Sequence, residues 1–173
     1  MFSKKRLFVP AVSILTSFFG VSAANAQDPT CPYSLASLQG SYAVLVNYGA
    51  AVAIGLQIQV LDGKGNLTRT GVLNQPTAGS TTGARTVGTV SSTGTYTVKC
   101  NGIGTITRIV TRPDGSTASA IDDFIITGAI KVAGRPSIAT TVVDAQRDPS
   151  VILPGGVFVT RVHTRLPDIP IDY

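Results

Sequence analysis

The stretch Val52-Ala53-Ile54-Gly55-Leu56-Gln57-Ile58-Gln59-Val60-Leu61-Asp62-Gly63-Lys64-Gly65-Asn66-Leu67 decides the fold of this chain. From Val52 to Val60 every second residue is a large aliphatic one, and the positions between hold Ala53, Gly55, Gln57 and Gln59. A period of two puts successive side chains on opposite faces of an extended strand. Asp62-Gly63-Lys64-Gly65-Asn66 then reads as a hairpin turn, because glycine reaches positive φ without a steric penalty. Leu67 to Gln75 returns as the next strand.

The same unit recurs on both sides. Ser41 to Tyr48 alternates, with Tyr42, Val44, Val46 and Tyr48 on one face. Thr93–Cys100, Ile103–Arg112, Thr117–Thr127, Ile138–Ala145 and Val157–Thr164 follow, separated by Asn101-Gly102, Pro113-Asp114-Gly115, Gly134-Arg135-Pro136 and Pro149 to Gly156. Arg85 to Val90 is a weak strand or an extension of the Thr/Ser/Gly/Pro loop from Pro76 to Gly83, and the one helical signal is a turn at Ser34 to Leu38. Glu is absent, while Thr, Val, Gly and Ser abound, which suits pleated sheets and not helix surfaces. About eight strands on short links make an antiparallel meander, whose exposed edges vanish when it closes. The expected fold is therefore an all-β, antiparallel up-and-down β-barrel, lipocalin-like. A two-sheet sandwich needs longer crossovers. Small residues at Ala51, Ala53, Gly55, Gly102 and Gly104 let the strands coil.

Ahead of the barrel, Lys4, Lys5 and Arg6 precede an apolar run from Leu7 to Val21 and the small residues Ala24-Asn25-Ala26. This is the pattern of a cleaved secretory signal over residues 1–26, leaving one domain over 27–173 in the periplasm or outside the cell. The run is shorter than the about 20 residues of a spanning helix and is interrupted by Pro10 and Gly20. Asp28-Pro29-Thr30 before Cys31 does not suit lipid attachment. Loss of the signal lowers the formal net charge from +5 to +2. Arg108, Arg112, Arg135, Arg147, Arg161 and Arg165 are scattered, with Asp nearby, and read as solvated surface charge. Without a basic stripe interleaved with aromatics, no nucleic-acid partner is expected. Nor is a membrane-spanning barrel: aromatics are 6% of the chain, Trp is absent, and Leu166-Pro167-Asp168-Ile169-Pro170 is unsuited to a membrane strand. Export favours a disulfide between Cys31 and Cys100, the only cysteines. Closing so long a loop is worth about 4 kcal/mol in the chain-entropy model.

Chemistry is harder to find. His163, the sole histidine, shares a face with Val157, Val159 and Arg161. A Ser-His-Asp hydrolase would need it as base, but no G-x-S-x-G accompanies it, so a surface or barrel-end histidine is the plainer reading. One His, no Glu and two oxidised Cys exclude an ordinary zinc site, and no phosphate loop or dinucleotide fingerprint implies a cofactor. Asp122 and Asp123, adjacent in a strand, face opposite ways. On the face of Ile121 and Ile125, Asp123 would be an inward acid, with Arg108 as its inward partner. Tyr42, Tyr96, Arg108 and Asp123 are the candidate ligand-binding residues; no catalytic residue stands out.

Ser37-Leu38-Gln39-Gly40-Ser41-Tyr42, the hairpin Leu61 to Leu67, Thr93-Gly94-Thr95-Tyr96-Thr97-Val98 and Cys100-Asn101-Gly102-Ile103-Gly104-Thr105 together resemble a recurrent group of small secreted bacterial proteins. These are similar to calycin-type or allene-oxide-cyclase-like barrels, a resemblance covering residues 31 to about 112. It implies fold and export, and no established activity. Lipocalins set a Gly-x-Trp at the first barrel strand against an Arg near the last; Gly40-Ser41-Tyr42 with Arg161 or Arg165 is similar, Tyr42 standing where those proteins have Trp. The expected function is binding of a small apolar ligand inside the barrel, in a cavity lined by Val, Ile, Leu and Tyr. The alternatives are a structural or interaction protein of the cell envelope acting through its loops, and a cyclase-like enzyme by fold analogy.

Overall fold

The computed structural model describes residues 31–49, 52–150 and 157–167. The secretory signal expected over 1–26 lies outside the described residues. A 3-10 turn, Leu35–Leu38, leads into eight strands: β1 (Gly40–Asn47), β2 (Ile54–Leu61), β3 (Asn66–Pro76), β4 (Arg85–Val98), β5 (Ile103–Thr111), β6 (Thr117–Ile130), β7 (Ile138–Gln146) and β8 (Thr160–Arg165). Each pairs antiparallel with the next, and β8 returns to β1 from Tyr42↔Arg165 to Asn47↔Thr160. The barrel is closed, with up-and-down order. Arg85 to Val98 is one continuous strand: Pro76↔Arg85 through Asn66↔Thr95 pairs it with β3 along its length, so the segment read as a weak strand belongs to β4.

Glycine sets the curvature. A Cβ at Gly71 would strike the Leu56 carbonyl, one at Gly94 the Thr107 carbonyl, and one at Gly104 the Thr97 carbonyl and the Phe124 ring. Neighbouring backbone and rings occupy the space a side chain would take, which is how strands coil into so narrow a barrel. In the β2–β3 turn, Asp62 accepts the backbone N–H of Lys64 at 2.7 Å and of Asn66 at 2.9 Å, while Gly63 and Gly65 take φ of +75° and +108°. Cys31 and Cys100 form the expected disulfide, with Cα atoms 4.9 Å apart.

Inside, the side chains form three layers. At the end covered by the 3-10 turn lie Leu38, Tyr42, Leu61, Leu67, Tyr96, Ile106, Phe124, Ile126, Ala139 and Val142. At the other end lie Val44, Val46, Tyr48, Ala53, Leu73, Val90 and Val159. Strand alternation places a polar belt between them. Ala53, just before β2, is followed inward by Gln57, Gln59 and Leu61; β3 points Leu67, Arg69 and Leu73 inward; and Val159, just before β8, is followed inward by Arg161 and His163.

Candidate functional site

The belt holds the buried arginines, aspartates and histidine of the described residues. Arg108 on β5 grips Asp122 on β6 through two parallel bonds, Nε donating to Oδ2 at 2.6 Å and Nη2 to Oδ1 at 3.0 Å. Arg161 on β8 bridges the two carboxylates: its Nη1 donates to Asp122 Oδ1 at 2.9 Å and to Asp144 Oδ1 at 2.8 Å. Its Nη2 donates to Gln146 Oε1 at 3.3 Å. His163 Nε2 lies 2.6 Å from the remaining Asp144 oxygen. Arg69 donates through Nε to Gln59 Oε1 at 2.7 Å and also through Nη2 to the same oxygen, and it reaches Asp144 only at 4.0 Å. Its Nη1 has no hydrogen-bond partner. Bidentate, charge-assisted pairs of this kind are what burying charges requires.

Burial alone would raise both acids. The Arg161 and Arg108 guanidiniums overcome it at Asp122 and hold that carboxyl below the usual range; at Asp144 the opposing groups are Arg161, His163 and Arg69. Burial pushes His163 below 6.5, reinforced by Arg69 and Arg161 and opposed by Asp144. The ring is therefore neutral at pH 7, and since a carboxylate only accepts, its proton sits on Nε2. Arg69 is pushed down to about 9, by burial first and then by the charges of Arg108 and Arg161, and remains cationic.

Of the sequence candidates, Tyr42 and Tyr96 both lie in the apolar layer beside the 3-10 turn. The Tyr42 hydroxyl donates to the Ala139 carbonyl at 2.9 Å, and Tyr96 to Leu35 at 3.1 Å, so both hold strands and turn together. Arg108 faces inward as expected, but its partner is Asp122. Asp123 is corrected to the outer surface, where Arg147 donates to it at 2.7 and 3.0 Å and the Thr105 hydroxyl at 3.1 Å. The reason is phase: Ala120, Asp122 and Phe124 point in, so Ile121, Asp123 and Ile125 point out. His163, read as a surface or barrel-end residue, is 1% exposed, and Arg108 and Arg161 are likewise interior and not solvated. Arg165 is the arginine that covers Tyr42, 5.7 Å from its ring centre, with Nη1 donating to the Tyr42 hydroxyl at 3.2 Å.

The outer wall is the belt's complement. β2 shows Ile54, Leu56, Ile58 and Val60 to solvent, Leu56 being 64% exposed, and Leu45, Val72 and Val162 extend this surface across β1, β3 and β8. Between them runs a shallow groove of about 680 Å³, floored by backbone at Gly71 and lined by no charged residue. Described charges that reach solvent mostly sit in turns, as at Asp62, Lys64, Lys99, Asp114, Lys131 and Arg135. The Asp123–Arg147 pair lies across the barrel from the groove, on β6 and the turn after β7.

Among the described residues, two small spaces lie inside the barrel, each of about 10 Å³: one beside Arg108 and Arg161, the other beside His163 and Tyr42. Each admits a single water-sized particle. Among the described residues no cluster of His, Cys, Asp or Glu could hold a metal ion. Comparison with family models, with curated proteins and with solved structures finds no match to this chain.

Proposed function

We propose that this protein is an exported binding module that works from its outer wall, docking the apolar face of another protein chain, in the simplest case a second copy of itself. The observation that carries this reading is the inversion of β2, which turns Ile54, Leu56, Ile58 and Val60 to solvent and Gln57 and Gln59 inward. An uncharged apolar patch of this kind on a soluble surface marks an interaction site. The seven aliphatic side chains of the patch offer roughly 600 Å², near the ~800 Å² per partner of a stable interface once Ala43, Thr70 and Thr164 are added. A closed barrel has no free edge, so the partner packs on side chains instead of adding a strand. The disulfide supports export.

An apolar ligand within the barrel, the expectation from sequence, needs several hundred Å³, and the interior spaces lined by described residues are water-sized. A cyclase-like reaction at Asp144 and His163 meets the same obstacle. The Thr77–Ala84 loop is polar and bonded to itself, Ser80 Oγ accepting the Ala84 N–H at 3.0 Å, which favours the wall over the loop as the docking surface. Sedimentation of the purified protein tests the reading: the wild type forms a dimer that Leu56→Lys dissolves with its circular dichroism intact. A wild type that stays monomeric at high concentration, or that floats with lipid vesicles, contradicts it.

A further inference from the structure

The buried belt does not balance its charges. Arg69, Arg108 and Arg161 are all inside the barrel, with relative exposures of 3, 4 and 3%, and face two carboxylates, Asp122 and Asp144. Neutral His163 adds nothing, so the interior carries one uncompensated positive charge. An unpaired buried charge is among the more costly features a fold can hold. The unmatched group is Arg69, whose main acceptor, Gln59, is uncharged.

One of the small interior spaces has the lining that would correct this. It is bounded by Arg108 and Arg161 together with Gln57, Ser92 and Tyr48, and no carboxylate of the described residues lines it. Tyr48, Ser92 and Gln57 line this space with hydroxyl and amide groups able to donate to an acceptor within it. Tyr48 lies in the field of all three arginines, Arg69 included. Ser92 pairs with Arg69 in the β3–β4 register, and Gln57 packs over Gly71, two residues along β3 from Arg69. Its volume, about 10 Å³, is room for a single particle near the size of a water molecule, which suits a monatomic ion better than a polyatomic one.

We propose that this space is a binding site for one halide ion, chloride under physiological conditions, held by Arg108 and Arg161 and by hydroxyl and amide donors of Tyr48, Ser92 and Gln57. The ion completes the charge balance of the barrel and acts as a structural ligand of the folded state.

Bromide is the probe. In crystals grown from sodium bromide, an anomalous peak appears within hydrogen-bond distance of Arg108 or Arg161. In solution, at ionic strength held constant with sodium gluconate, the melting temperature rises with halide by about 4 °C per tenfold once the site begins to fill. Gln57→Glu places a permanent carboxylate in the space, so in that variant the halide dependence disappears. If the variant does not fold, the wild-type crystal decides. Absence of the anomalous peak overturns the site, as does a melting temperature that follows gluconate as closely as bromide. A folded Gln57→Glu protein that keeps the wild-type halide slope also overturns it, since the ion then acts elsewhere.

Discussion

β1 and β2 are neighbours of equal length with opposite habits. β1 turns Tyr42, Val44 and Val46 into the barrel, as any half-buried strand does. β2 does the reverse over most of its length, hiding Gln57 and Gln59 and showing Ile54, Leu56, Ile58 and Val60. Both alternate cleanly, so periodicity identifies each as a strand and says nothing about which face is inside. What selects the face of β2 is the belt: Gln59 is needed as acceptor for Arg69, and the small Gly55 leaves room for Val46 on the opposite strand. The interior chooses by polar satisfaction, and the aliphatic side chains go where no charge competes.

The contrast breaks most severely at Asp122. Asp122→Ala strands Arg108 and removes one of the two carboxylates of Arg161, and should cost about 3–5 kcal/mol in urea unfolding. Gln59→Leu is a sharper probe, because it puts inside β2 the kind of side chain that β1 buries. If burial of apolar surface were what matters, it would stabilise; with Arg69 left without its acceptor it should instead lose about 1.5–3 kcal/mol.

Acid attacks the same layer in two stages. His163 has a folded pKa below its unfolded value of 6.5, so the unfolded chain binds the extra proton first and stability falls as pH drops below about 6.5. The slope is up to about 1.4 kcal/mol per pH unit until the folded ring itself protonates. Asp122 and Asp144, both lowered from 3.8, contribute stability that is present above that value and lost as pH falls through their folded values. His163→Gln keeps a donor for Asp144 and should abolish the first stage alone, as seen in chemical unfolding followed between pH 7 and 5. The smallest effect belongs to the wall: Leu56→Lys should leave monomer stability within about 0.5 kcal/mol while removing association. A large loss of monomer stability there would mean that the outer face of β2 is packed in the single chain.

Much of the barrel is legible in the sequence because its cause is local. Turn glycines such as Gly63, Gly65, Gly102 and Gly115 carry positive φ, and strands such as β1 and β5 have unbroken alternation. The disulfide follows from compartment and count. The belt is not local. Arg108 and Asp122 meet across the β5–β6 hairpin, 14 residues apart, but Arg161 and Asp122 are 39 apart, and only the docking of β8 on β7 brings them together. One signal was nevertheless present. Arg69, Arg108, Asp122, Asp144, Arg161 and His163 all fall in mid-strand, in a chain that otherwise keeps most of its charges in turns. Mid-strand charge on one alternation phase across β3, β5, β6, β7 and β8 marks an interior network. The aliphatic neighbours Ile121 and Ile125 make Asp123 look inward in the sequence, but they share its outward phase.

Because the chain has a single histidine, a proton–nitrogen NMR titration of its imidazole reads the belt without ambiguity. A charged, water-excluded layer inside an apolar-walled barrel predicts a neutral ring, protonated on Nε2, that shows no titration near 6.5 and charges only at lower pH. A ring that titrates freely at 6.5 and exchanges its proton with solvent would place His163 outside and contradict the account.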